Sequence, residues 1–170
     1  MKELPEAKIY VKEEGKPLII NKETDEVNEA IDAIGEYLFK LDREAKVILS
    51  LDKQIKPINY NIVSFGDEDS VAFSLKNIFK PAILNNAAYI ITFHNHPSED
   101  KPKPSNNDII NTCHILAEGY MLGIGLLDDI IIGKKGNYQY TSKKLREMEK
   151  YIIKKREFID NDFLKKFKDI

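Results

Sequence analysis

The sequence has a single cysteine, Cys113, so a disulfide within the chain is excluded. It has no apolar run that approaches the length of a membrane-spanning helix. The opening residues 1–5, MKELP, do not have the character of a signal peptide. Neither sign of charge is in large excess, because the formal net charge is −2, and this gives no support to nucleic-acid or membrane binding. We therefore expect a cytoplasmic protein without a membrane segment.

The composition that remains is that of a globular domain. Apolar residues make up 42% of the chain and charged residues 32%, which are ordinary proportions for a protein with a packed core. With 170 residues, the chain is expected to form one domain that buries a sizeable core without disulfides. It contains no internal repeat and no low-complexity segment.

Patterns typical of helices and strands alternate along the middle of the chain. A helix capped by Thr24 or Asp25 is predicted to reach Leu41, and further helices are predicted at residues 70–79 and 105–122 and from 143 onward. Strands are predicted at 47–51, 56–65, 87–93 and 138–140, and one or two strands at 124–132. The second helix is predicted to begin at Asp69 or Ser70, and Pro81 to begin a separate turn. This alternation predicts an α/β fold in which a sheet is flanked by helices.

Two further segments flank this region. Residues 1–25 are predicted to form an N-terminal hairpin or extension, because Glu14-Gly15-Lys16-Pro17 is a turn signal between two short apolar runs. Residues 26–141 then form the main domain, and residues 142–170 a helical tail packed on it. Ten Lys/Arg against six Asp/Glu leave the tail a net charge of +4. We interpret this charge as the solvated face of a helix. The alternative is that the tail is a basic arm that binds an acidic partner.

Two histidines one residue apart stand at the end of a predicted strand, in the stretch TFHNHPSEDKPKPSNNDI at residues 92–109. Because side chains alternate along a strand, His94 and His96 are expected to point the same way. Neutral imidazole is a common zinc ligand, and catalytic zinc takes three protein ligands and one water. Asp108, on the first turn of the next helix, is placed to be the third ligand.

Ser105 and Asp108 also have a purely structural interpretation. A serine that begins a helix accepts a hydrogen bond from a backbone N–H group, and a carboxylate three residues later reaches back to the serine N–H. The capping and metal-binding interpretations of Asp108 do not exclude each other. A single carboxylate would then divide its two oxygens between them.

The spacing His94-x-His96-Pro97, seven residues, then Ser105-x-x-Asp108 resembles the JAMM motif of the JAB/MPN metalloprotease superfamily. The stretches NNAA at 85–88, IITFHNHPS at 90–98 and LLDDIIIG at 126–133 resemble the RadC-like branch more narrowly. The resemblance covers roughly residues 26–141. It implies a mixed β-sheet flanked by helices, with an architecture related to that of cytidine deaminases.

The sequence departs from the RadC-like pattern at several places. Glu99 stands where a glycine is usual, and Asp129 where a histidine is usual. The helix-hairpin-helix region that often precedes the domain is absent from this sequence. Asp128, next to the second departure, is a candidate acceptor for a ligand histidine, although a turn role fits it equally.

The same resemblance implies the other members of a catalytic site. The stretch LDREAKVILSLD at 41–52 places Glu44 at the entrance of a predicted strand, where the family has its general base and proton shuttle. Ser105 would stabilise the oxyanion of the reaction. The alternative for Glu44 is a solvated carboxylate beside Arg43, and Glu36 is its rival inside the predicted helix.

The function implied by the resemblance is that of a JAMM-type zinc metallohydrolase. It would cleave an amide, peptide or isopeptide bond in a peptide or isopeptide substrate through a zinc-activated water. The alternative is a RadC-like module, associated with DNA repair or protein interaction, that has a metal site and no protease activity. The net charge of −2 does not favour duplex DNA as a partner, and the oligomeric state stays open.

Overall fold

The computed structural model describes residues 13, 15, 17–20, 25–66 and 74–155. Helices and strands alternate along this part of the chain in the order α1 (Glu26–Phe39), β1 (Ala45–Leu51), β2 (Pro57–Phe65), α2 (Leu75–Leu84), β3 (Tyr89–Asn95), α3 (Asn106–Leu122), β4 (Gly125–Ile132), β5 (Asn137–Gln139) and α4 (Ser142–Lys155). The predicted α/β fold with a mixed sheet flanked by helices is confirmed. No helix in the described ranges is long and apolar enough to cross a membrane.

The five strands form one sheet in the order β2-β1-β3-β4-β5. Strands β3 and β4 are parallel, and every other neighbouring pair is antiparallel. Strand β3 therefore lies in the middle of the sheet, with hydrogen-bonded neighbours on both sides. Its carboxyl end carries the histidine pair.

Helices cover both faces of the sheet, so every residue of β1 is buried, including Lys46 and Ser50. On one face, Ile34 and Leu38 of α1 pack against Val47, Leu49 and Phe93. On the other face, residues of α2 and α3 pack against alternate strand positions, in the cluster Ile48, Ile78, Phe79, Ala82, Ala87, Ile90, Ile115 and Ile124. The sheet is thus fixed between two helical layers.

Helix α2 differs from the prediction. It begins at Leu75, and because its N-cap residue Ser74 is extended, an unbroken helix from Asp69 or Ser70 is wrong. Pro81 lies inside the helix, and the Asn85 N–H still donates to the Pro81 C=O at 2.9 Å. Proline has no N–H to donate within the helix, and burial of the α2 side chains in the core offsets the free-energy cost of that missing hydrogen bond.

Parts of the predicted terminal segments lie outside the described residues. These include most of the N-terminal hairpin and residues 156–170 of the tail. Residues 17–20 are described and form no strand, but Leu18 and Ile20 pack against the core on the α1 side. Helix α4 confirms the first half of the predicted helical tail.

Helix α4 joins the domain through a third apolar cluster. Leu145 and Met148 are buried against Ile109, Cys113 and Leu116 of α3. Because a buried methionine truncated to alanine costs roughly 2–5 kcal/mol, we expect Met148→Ala to lower the free energy of unfolding by that amount. Chemical denaturation would measure it, with the exposed neighbour Glu147→Ala as a control expected to stay within about 0.5 kcal/mol.

Removal of residues 143–170 is expected to have a larger effect, with a lower melting temperature or aggregation, because it uncovers this apolar surface of α3. A soluble truncated chain with an unchanged melting temperature would instead identify the tail as a detachable arm.

Candidate metal centre

Two imidazoles meet at the carboxyl end of the central strand. His94 is the last residue but one of β3, and His96 follows the strand directly. Both side chains are buried, and their Nε2 atoms lie 3.2 Å apart. The period of two along a strand brings both rings to the same side, as expected from the sequence.

Asp108 faces this pair from the first turn of α3. Its Oδ1 lies 3.2 Å from His94 Nε2, and its Oδ2 lies 3.7 Å from His96 Nε2. Oδ2 also accepts a hydrogen bond from the Ser105 N–H at 2.7 Å, while the Asp108 N–H donates to Ser105 Oγ at 3.1 Å. This capping box fixes the carboxylate. One oxygen therefore serves the helix end and the other points at His94.

The three side chains fit a single metal ion. Their ligand atoms all lie within 4.8 Å of one another. Two ligands about 2.0–2.1 Å from a zinc ion at the tetrahedral angle are about 3.3 Å apart. The 3.2 Å separations of His94 Nε2 from His96 Nε2 and from Asp108 Oδ1 match that spacing. Two nitrogen donors and one carboxylate are also the donor set that zinc accepts.

The ionisation of Asp108 suits a metal ligand. Burial alone would raise the pKa of this carboxyl. The hydrogen bond and charge of His94, followed by the contacts with Ser105, outweigh burial and hold the pKa well below its usual range. The group is therefore a carboxylate at neutral pH.

The Nδ1 atoms of the two rings have no hydrogen bond within the part of the chain that the structure describes. Nδ1 of His94 and Nδ1 of His96 are buried without a hydrogen-bond partner among the described residues. His96 Nδ1 lies 3.4 Å from Glu99 Oε1 but lacks the alignment of a hydrogen bond. Asp128, the sequence candidate for an acceptor, instead accepts from the backbone N–H groups of Asp129 and Tyr140. Burial raises the pKa of Asp128 to about 6, and its contacts serve the β4–β5 connection.

Glu44 does not belong to the group formed by His94, His96 and Asp108. It is half-buried and precedes β1 by one residue. The last β1–β3 backbone pair is Lys46 with His94; Glu44 precedes the first of these by two residues and His96 follows the second by two. The role of Glu44 as a base stays a prediction. Glu36 lies on α1 and forms an exposed ion pair with Lys40.

Ser105 has the capping role that its sequence context predicts. Its side chain is exposed, and Oγ accepts the Asp108 N–H, which leaves the hydroxyl proton free to donate elsewhere. The predicted contact with an oxyanion remains a prediction.

A buried polar network beneath the ligands was missed by sequence reasoning. Asp129, which is 1% exposed, accepts hydrogen bonds from the hydroxyls of Thr92 at 2.7 Å and Thr112 at 2.6 Å. The buried Lys46 Nζ lies 3.9 Å from Asp129 Oδ1. The Thr112 hydroxyl is also 2.8 Å from the Asp108 C=O. The network thus ties the first turn of α3 to the sheet, and the only sequence signal for it was the unusual aspartate at 129.

The loop from His96 to Ser105 is attached to the β4–β5 connection. The His96 N–H donates to the Ile132 C=O at 2.9 Å, and the Lys134 N–H donates to the Glu99 C=O at 2.8 Å. Gly133 lies against this loop, and a Cβ atom there would stand 2.3 Å from Pro102 Cδ. Glycine is therefore required where the two loops meet.

Gly133→Ala is expected to weaken the binding of a metal ion at His94, His96 and Asp108 about 10–100-fold, the usual cost of disturbing groups that orient metal ligands. The added methyl displaces Pro102 and with it the loop that joins His96 to Ser105. Competition with a chelator would measure the affinity. Gly136→Ala is the matched control, because a Cβ atom at Gly136 meets nothing within 4 Å. Equal affinities for the two variants would contradict the prediction.

A groove of about 440 Å³ opens beside His96. Its walls are mainly apolar and come from the end of α1, the α1–β1 turn and the end of β4, with lining residues Leu38, Phe39, Leu41, Asp42, Asn95, His96, Pro97, Ile132, Gly133 and Lys134. Phe39 is 57% exposed. The site therefore has an open apolar surface next to one of its histidines.

Together, the mixed sheet and the two imidazoles facing a carboxylate on a helix define an α/β domain with a residue group that could hold a metal ion. A family model described as the RadC-like JAB domain matches residues 24–148. The chain belongs to this family, and the resemblance drawn from the sequence is confirmed.

Curated relatives carry the name UPF0758 protein. The one from Thermotoga maritima is 31% identical over 73% of this chain and 58% of its own length. The one from Syntrophomonas wolfei is 36% identical over 75% of this chain and 53% of its own length. The one from Moorella thermoacetica is 39% identical over 64% of this chain and 45% of its own length. The chain thus spans about half the length of these relatives.

Proposed function

We propose that the protein is a zinc-dependent hydrolase of the JAMM type that cleaves an amide bond in a peptide or isopeptide. The observation that supports this best is the convergence of His94, His96 and Asp108 on one point. Three protein ligands are the number that catalytic zinc sites use, whereas structural zinc sites usually have four. The presence of all three also distinguishes the chain from a scaffold that has lost its ligands.

The residues of the chain divide the proposed reaction between them. His94, His96 and Asp108 would hold the ion, which when bound would polarise the substrate carbonyl and lower the pKa of a bound water toward about 7. The Glu44 carboxylate accepts a proton from the attacking water and returns it to the leaving nitrogen. The Ser105 hydroxyl, whose proton is not used in capping, donates to the developing oxyanion.

The groove beside His96 supports a peptide-like substrate. Its apolar walls suit a hydrophobic side chain, and the α1–β1 turn that leads to Glu44 forms one of them. A substrate seated there would adjoin His96, which lines the groove. The net charge of −2 gives no corresponding support to a nucleic-acid substrate.

The proposal is tested with a library of fluorogenic peptides and isopeptides. The zinc-loaded chain is expected to cleave some members, to stop after treatment with a chelator, and to recover when zinc but not magnesium is returned. A chain that holds zinc and cleaves no member of the library would favour the binding module without protease activity.

A further inference from the structure

Asn95, between the two histidines, is a buried amide whose hydrogen bonds join the end of β3 to the residues around Glu44. It is 2% exposed, and strand alternation turns its side chain away from the imidazoles. Its Oδ1 accepts a hydrogen bond from the Ala45 N–H at 2.8 Å, and its Nδ2 donates to the Arg43 C=O at 3.0 Å. A single amide therefore bridges the two residues that flank Glu44.

These bonds continue the sheet where its backbone ladder has ended. The last β1–β3 backbone pair is Lys46 with His94, and beyond it the Asn95 side chain supplies the next two contacts. On the other side of the same segment, the Gly66 N–H donates to the Glu44 C=O at 2.8 Å. The backbone around Glu44 is thus held by Asn95 on one side and by Gly66 on the other. Asn95 is the chain neighbour of both His94 and His96.

We propose that Asn95 is a positioning residue that holds Glu44 in register with His94 and His96. This inference rests on the proposed function, in which Glu44 is the base. A primary amide is suited to the task because it offers one acceptor and one donor side by side, as the N–H of Ala45 and the C=O of Arg43 require. Misplacement of a catalytic group by about 1 Å can cost on the order of 10²-fold in rate.

Two variants and one control separate this role from general stability. Asn95→Leu removes both hydrogen bonds, whereas Asn95→Asp keeps the acceptor for Ala45 and loses the donor. Asn85→Leu is the control, because the Asn85 amide donates to the side-chain oxygens of Ser50 and Asn59 near the opposite end of β1 and makes no contact with the backbone beside Glu44 in the described part of the chain. All three are compared in the full chain.

The first measurement is amide hydrogen exchange, which needs neither metal nor substrate. Asn95→Leu is expected to speed exchange at Ala45 roughly tenfold, as for the loss of one hydrogen bond, with little change at Val47. Asn95→Asp is expected to have a smaller effect at Ala45, and Asn85→Leu none. Unchanged exchange at Ala45 in Asn95→Leu overturns the proposal.

The second measurement is a double-mutant cycle on hydrolysis by the zinc-loaded protein. Asn95→Leu is expected to lower kcat about 10–100-fold with zinc content and KM near wild type, and to have no further effect in a Glu44→Gln background. Equal losses in the two backgrounds show that Asn95 does not act through Glu44 and overturn the proposal.

A third measurement does not depend on hydrolysis. If the wild type binds metal and cleaves nothing, the proposed function fails, and the position of Glu44 is then measured in the cobalt(II)-loaded protein. Paramagnetic relaxation of the Glu44 carboxyl carbon is expected to weaken in Asn95→Leu and to stay unchanged in Asn85→Leu. Unchanged relaxation in Asn95→Leu overturns the positioning role.

Discussion

Glu44→Gln is expected to lower the rate of hydrolysis by about 10²–10⁴, the usual contribution of a general acid–base group, and to leave the zinc content near that of the wild type. Glutamine has nearly the same shape as glutamate but cannot act as a carboxylate base. The zinc content is retained because Glu44 lies outside the group formed by His94, His96 and Asp108. Steady-state kinetics and elemental analysis of the same preparation measure both quantities.

The matched control for Glu44→Gln is Glu36→Gln. Glu36 pairs with Lys40 on the exposed side of α1, so its removal is expected to leave the rate unchanged. Full activity of Glu44→Gln would place the base elsewhere. Loss of zinc from Glu44→Gln would identify this residue as a ligand.

His96→Ala is expected to reduce the zinc content from about one ion per chain to nearly none, and to abolish hydrolysis at the same time. The variant keeps one imidazole and one carboxylate, which are too few to hold the ion against dialysis. Zinc at about 100 times its dissociation constant would stabilise the wild type by about 2.7 kcal/mol, so its melting temperature rises with added zinc whereas that of His96→Ala does not.

The third histidine of the chain supplies the control. His114 lies within α3 and outside the ligand group, so His114→Ala is expected to bind zinc like the wild type. Equal zinc in His96→Ala and the wild type, measured by elemental analysis after dialysis, would contradict the assignment of the ligands.

Much of the fold and the ligand group could be predicted because the signals are local. The period of two along a strand relates His94 to His96, and the capping pattern relates Ser105 to Asp108 over three residues. The strand and helix patterns likewise extend over fewer than about 20 residues each. Pro81 was misjudged because burial of α2, a tertiary effect, outweighs the local penalty of a proline.

The contacts that support the site could not be predicted, because they join distant parts of the chain. The Asn95 side chain forms hydrogen bonds with the backbone of Ala45 and Arg43, which are 50 and 52 positions away in the chain. These bonds depend on the register of β1 against β3. Asp129 likewise accepts hydrogen bonds from Thr92 and Thr112, which are 37 and 17 positions away in the chain. A single sequence contains no signal for such pairings, although Asp129 did stand out as an unusual residue.

The placement of the ligands on two kinds of element has a kinetic consequence for the metal. His94 lies in the middle strand of the sheet and His96 follows its last residue, and central strands are expected to open less readily than the ends of helices. Asp108 lies in the first turn of α3, and the ends of helices fray readily. The ion is therefore expected to enter and leave through the fraying of one helical turn. Its exchange with a chelator would then be a local event, with a rate that follows the stability of that turn and not the global stability of the protein.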